Sequence, residues 1–143
     1  MFNALVNVYQ DLDVQGITVF SCPLQGNKSI ASMDGFIGID PSQFDTQQEE
    51  TTALIHEEGH FTSGAFYTPY SPYQLRAQAE YRADKAAVLK RVPLAELVQQ
   101  LRAGLSVFEI AEHFNITPAF LLRAYMIYSQ HLGVDFAAIQ ECG

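Results

Sequence analysis

Within residues 51–64, TTALIHEEGHFTSG, two histidines stand four positions apart, with a glutamate directly after the first. On a helix His56 and His60 share one face about one turn apart, so both imidazoles can close on a single ion. Glu57 lies one step round the helix, near enough to take a proton from water without being a ligand. This is the H-E-x-x-H arrangement, in which two imidazoles bind zinc and the glutamate is the general base. Zinc lowers the pKa of its water to about 7, and a carboxylate beside it can pass the proton to a leaving amine. As a purely structural helix the stretch is poor. Gly59 costs about 1 kcal/mol against alanine in a helix interior, and Glu57 and Glu58 are neighbouring like charges.

A catalytic zinc site needs a third protein ligand and an open position. The next helical stretch, QLRAQAEYRADKAAVLKR, supplies two candidates, Glu80 and Asp84, four apart and so on one face. Both are also suited to a solvated surface, since Arg76, Arg82, Lys85 and Lys90 lie nearby. Tyr67, Tyr70 and Tyr73 fall in the loop between the two stretches, where a phenol could donate to an oxyanion or simply pack a Pro-rich loop. His113 and His131 have no partner at metal-binding spacing and are expected on exposed C-terminal helices. Cys22 and Cys142 have no metal or disulfide spacing and are expected to be reduced thiols.

The elements that must position these residues follow from periodicity and turn chemistry. Apolar residues from Phe2 to Leu12 recur at three and four, giving a first amphipathic helix to about Asp13 that Gly16 ends. ITVFS, residues 17–21, reads as a short strand. Residues 30–39 read as a hairpin about Asp34-Gly35, a dipeptide favoured in two-residue turns. Thr46 and Glu49 have capping-box spacing for a helix over 47–63, and a second helix spans 73–91 after the loop GAFYTPYSPY. Three shorter helical segments follow, over 93–103, 106–114 and 118–130, with Ser106 and Thr117 as caps. The fold class is therefore α+β, with residues 1–91 as a lobe carrying the site and 92–143 as a helical subdomain of the same compact unit.

LIHEEGHF with a downstream EYRADKAA resembles the ImmA/IrrE metallopeptidases, in which a small mixed sheet precedes an H-E-x-x-H helix and an E-x-x-A-(D or N) element follows on the next helix. The resemblance covers most of the chain, including GITV and DGFIGID, and is closest to the small versions carried by bacteriophages and integrative elements. It implies a zincin-like site with His56, His60 and Glu80 as zinc ligands, Glu57 as general base and Asp84 orienting a histidine. It also implies a zinc-dependent endopeptidase that cuts a helix-turn-helix repressor. The family often has a smaller or apolar residue where Glu58 stands, which makes Glu58 a solvated neighbour in this reading. Manganese or iron can occupy a two-histidine, one-carboxylate site as well as zinc.

Composition narrows the alternatives. Sixteen acids against eight bases give a net charge of −8, which repels nucleic acid and anionic lipid. LSVFEIAEHFNITPAFLLRAYMIY has a helix-turn-helix cadence, but its second helix offers Arg123 as its only base. It is expected to pack against the catalytic lobe or dock a protein, not to read DNA. No bilayer-length apolar run occurs and the first residues lack a basic patch, so a cytoplasmic protein is expected. A second function fits the same residues: an antirepressor that keeps a zinc site and acts by binding its partner without cutting it.

Overall fold

The computed structural model describes residues 4–141. Its elements are helix α1 (Ala4–Val14), strands β1 (Thr18–Ser21), β2 (Ser29–Ser32) and β3 (Phe36–Ile39), a 3-10 turn at Pro41–Gln43, and the two long helices α2 (Gln47–Ser63) and α3 (Tyr73–Arg91). Four shorter helices complete it: α4 (Leu94–Arg102), α5 (Val107–Phe114), α6 (Pro118–Met126), which runs on into a π-helical turn at Ile127–His131, and α7 (Phe136–Glu141). The α+β expectation therefore holds at the level of a largely helical chain around a small mixed sheet. None of the described helices is long and apolar enough to cross a membrane.

The sheet has the order β1-β3-β2, with β1 parallel to β3 and β2 antiparallel to it. β2 is thus an edge strand, hydrogen-bonded on one side only. The hairpin differs from expectation by one residue. Ser32 pairs with Phe36, which leaves a three-residue loop in which Gly35 takes φ +95°. A single glycine at the end of the turn supplies the positive φ, and Met33 joins the loop where a two-residue turn would have paired it with Phe36.

Both long helices begin and end where sequence spacing places them. Thr46 Oγ1 accepts from Glu49 N at 3.1 Å, and Gly64 closes α2 at φ 69°. The reciprocal half of the expected capping box is displaced: Glu49 Oε2 accepts from Asp45 N, not from Thr46. Ser106 and Glu109 do form the complete box at the start of α5. The last helix, α7, has no counterpart in the sequence reading, because six residues are too few for a 3.6-residue periodicity to show. Residues 1–3, with Phe2, and Cys142 lie outside the described residues.

The buried core is continuous across the expected lobe boundary. Leu12, Ile37, Leu54 and Val88 share one cluster with Leu97, Ile110, Leu121 and Ile127. Val92 is fully buried at that boundary, and its carbonyl accepts from the Tyr128 hydroxyl at 2.8 Å. The turn between α5 and α6 is bonded directly to α2: Asn115 Nδ2 donates to Thr51 Oγ1 at 2.9 Å and Thr117 N donates to Thr52 Oγ1 at 3.0 Å.

Candidate metal centre

The approach of α3 to α2 positions the site. Ala79, Ala83 and Ala87 recur every four residues as a buried stripe on α3, and Gly59 faces it from α2. A Cβ on Gly59 would lie 2.0 Å from the Ala83 carbonyl oxygen, so the two backbones touch where a side chain is missing. Glu80 and Asp84 each follow one of these alanines. The stripe that sets the helix separation therefore also brings both acids against the histidines.

His56 Nε2 lies 2.7 Å from Glu80 Oε2, and His60 Nε2 lies 3.3 Å from Glu80 Oε1. The outer nitrogens are both fixed: His56 Nδ1–H donates to Asp84 Oδ1 at 2.7 Å and His60 Nδ1–H donates to the Ala65 carbonyl at 2.7 Å. Asp84 is held in turn by Arg123 Nε at 3.2 Å. Tyr67 donates its hydroxyl to Glu80 Oε1 at 2.6 Å. Glu57, 5 % exposed, accepts from Ser29 Oγ at 2.7 Å and sets Oε1 3.9 Å from His60 Nε2.

These contacts assign the tautomers. The Ala65 carbonyl only accepts, so the proton of a neutral His60 sits on Nδ1 and its Nε2 presents a bare lone pair to a carboxylate oxygen. His56 is in a sharper conflict, with a carboxylate against each nitrogen. Either an extra proton or a metal ion must stand between the Nε2 atoms and Glu80. With no metal, the proton fills that role. Burial disfavours charge on His56, but hydrogen bonds to Asp84 and Glu80 outweigh it and push its pKa up to about 10. His60 is displaced upward against its own burial in the same way, chiefly by Glu80. The Glu80 carboxyl is held well below the usual carboxylate range by the two imidazoles.

The donor set fits a small divalent ion. One atom from each of His56, His60 and Glu80 lies within 4.8 Å of the others. Bonds of about 2.0–2.1 Å in tetrahedral geometry separate ligand atoms by about 3.3–3.4 Å; His60 and Glu80 stand at 3.3 Å, whereas His56 and Glu80, at 2.7 Å, are at hydrogen-bond distance and must part slightly to share an ion. Both imidazoles already donate their second N–H to an acceptor, the arrangement that aims Nε2 and raises its basicity. Glu57 stands beside the three candidate ligands with its pKa raised, because burial penalises its charge more than His56 and Ser29 favour it. A carboxylate so displaced is better matched to proton transfer near neutral pH.

Glu58 corrects the sequence reading. It is 1 % exposed, not solvated. Arg91 Nε and Nη2 donate to its two oxygens at 2.8 and 2.6 Å, Gln15 Nε2 adds a bond at 2.9 Å, and Lys90 Nζ lies at 3.2 Å. Burial raises its pKa, but the Arg91 and Gln15 bonds reverse that and leave it lowered. Arg91 continues to Asp11 at 2.7 Å, so α1, α2 and α3 meet in one ion-pair network on the side of α2 away from the two histidines.

His56, His60, Glu80 and Glu57 open onto a cleft of about 730 Å³. One wall is residues 27–31, including β2; the other is Phe66, Tyr67 and Pro69 with Arg76 and Glu80 of α3. Of the three loop tyrosines only Tyr67 lines it. Tyr70 is 96 % exposed, and Tyr73 turns its ring to Arg76. The Tyr67 hydroxyl is pushed up to about 12, first by its bond to Glu80. His113 pairs with Glu96 at 2.8 Å and His131 packs on the Tyr81 ring, both away from the cleft. Cys22 is a free, half-buried thiol.

Sequence reasoning missed Ser29, the Ala65 carbonyl, Arg91 and Arg123. Ser29 and Ala65 carry no local signal, since each acts across a tertiary contact. Arg123 did have one: a lone base on an otherwise apolar helix invites the question of which acid it serves. Searches against protein-family models, curated proteins and solved structures find no match for this chain.

Proposed function

We propose that this chain is a zinc-dependent endopeptidase. The observation that carries the reading is the convergence of His56, His60 and Glu80 from two helices, with Glu57 buried beside them at the base of a cleft. A divalent ion held by those three residues supplies a Lewis acid that polarises a carbonyl and acidifies water. Glu57 takes the proton of the attacking water and delivers it to the leaving amine, and Ser29 holds its other oxygen in place. Tyr67 brings an O–H donor to the cleft wall. Edge strand β2 forms the opposite wall and offers backbone groups to an extended peptide lying along it.

The resemblance to the ImmA/IrrE peptidases supplies the substrate proposal, a helix-turn-helix repressor encoded beside this chain. Incubating the zinc-loaded protein with that repressor and measuring intact masses tests it. Two fragments whose masses sum to the repressor plus one water are expected, and Glu57→Gln should keep its zinc yet lose at least about 100-fold in rate. An intact repressor held in a stable complex would replace the peptidase with a non-cutting antirepressor. Equal cleavage by Glu57→Gln would remove Glu57 from the chemistry.

A further inference from the structure

The cleft carries two cations that have no ion-pair partner among the described residues. Arg76, on α3, and Lys28, immediately before β2, line its opposite walls. Among the described residues neither makes an ion pair, although the chain has twice as many acids as bases. Lys28 Nζ lies 6.0 Å from the centre of the Phe44 ring, and the Arg76 guanidinium 6.0 Å from that of Tyr73. Arg76 Nε is buried and has no hydrogen-bond partner.

Helix geometry makes the Arg76 vacancy informative. Its natural partner is Glu80, four residues on along the same face. Both Glu80 oxygens are committed, Oε2 to His56 and Oε1 to His60 and Tyr67. The metal centre thus takes the acid that would otherwise have satisfied Arg76, and leaves a guanidinium on the cleft wall one turn from a ligand. The buried Nε has no partner and the rest of the half-buried guanidinium reaches the cleft without a counter-charge, which an anionic ligand there would supply.

We propose that Arg76 and Lys28 form a carboxylate-recognition subsite, so that the cleft selects peptides presenting an acidic group beside the scissile bond. This deepens the peptidase reading and rests on it for the identity of the substrate as a peptide. The carboxylate of an aspartate or glutamate side chain and that of a peptide C-terminus have the same chemistry here. Overall repulsion from a chain of net charge −8 makes the subsite selective, since an acidic peptide gains only where the two cations stand.

Fluorescence anisotropy on zinc-loaded Glu57→Gln protein at low ionic strength tests the proposal with three short labelled Ala/Ser peptides: one amidated with a central Glu, one amidated with Gln there, and the Gln peptide with a free C-terminus. The Glu peptide, the free-terminus peptide, or both should bind about tenfold more tightly than the amidated Gln peptide, and which of them does identifies the source of the carboxylate. The preference should vanish in Arg76→Gln, weaken in Lys28→Gln and survive in part in Arg76→Lys, with zinc content unchanged throughout. Equal binding of all three peptides by the parent protein would overturn the proposal, as would a preference that persists in the Arg76→Gln/Lys28→Gln double variant. Binding is read without turnover, so a failed cleavage test leaves this result standing, and loss of the charge preference leaves the cleavage test standing.

Discussion

Two adjacent glutamates of the same helix have opposite environments, and each environment predicts a different measurement. Glu57 faces the cleft and has its pKa raised by burial; Glu58 faces α1 and α3 and is held ionised by Arg91. Because the folded pKa of Glu58 is below its ordinary value of 4.5, its pairing stabilises the fold in full above that value and the contribution is lost as pH falls through the folded pKa. Glu58→Gln should therefore cost about 3 kcal/mol at neutral pH, a gap that shrinks below about pH 4.5. Denaturant unfolding of both proteins across the acid range checks this, and a gap that stays constant would contradict it. Asp84 has the complementary role of aiming His56. Asp84→Asn keeps a hydrogen-bond acceptor but loses the charge, and zinc affinity should drop about 10- to 100-fold by competition with a chelating dye. An unchanged affinity would show that Asp84 does not support the ligand.

The element that decides the site is the contact between α2 and α3. Helix propensity alone favours Gly59→Ala by about 1 kcal/mol, whereas overpacking typically costs about 1–3 kcal/mol and more when backbone must move. A Cβ 2.0 Å from the Ala83 carbonyl forces the helices apart, so the variant should melt lower and bind zinc more weakly. A higher melting temperature with zinc binding intact would show that the close approach is not needed. The bounds of both helices were legible because they rest on local signals: the Thr46 cap, the Gly64 stop and a run of good helix formers into Arg91. The pairing of Glu80 with the histidines was legible through helical spacing and the family resemblance. Burial of Glu58 was not, because it depends on Arg91, 33 residues away, on Asp11 of α1 and on Gln15 in the turn that follows it. The extra hairpin residue and α7 were missed for the opposite reason, being too short for any periodicity to betray them.

At the scale of the whole molecule, the C-terminal helices share one buried cluster with the lobe that carries the site. They also reach the site itself. Arg123, the one base on α6, donates to Asp84, which holds His56, while the turn before α6 is bonded to Thr51 and Thr52 of α2. The helical segment that resembles a DNA reader in sequence spends its base on the acid behind a candidate ligand. Filling the site should consequently stabilise the entire chain, by about 2.7 kcal/mol when free zinc is 100 times its dissociation constant. Calorimetric titration of the metal-free protein with zinc, followed by thermal melting of the product, tests the central claim most directly. One ion per chain, release of protons from the histidines and a higher melting temperature are predicted, all three lost in Glu80→Ala. The same stoichiometry and affinity in Glu80→Ala, or no zinc bound by the parent protein, would contradict the account.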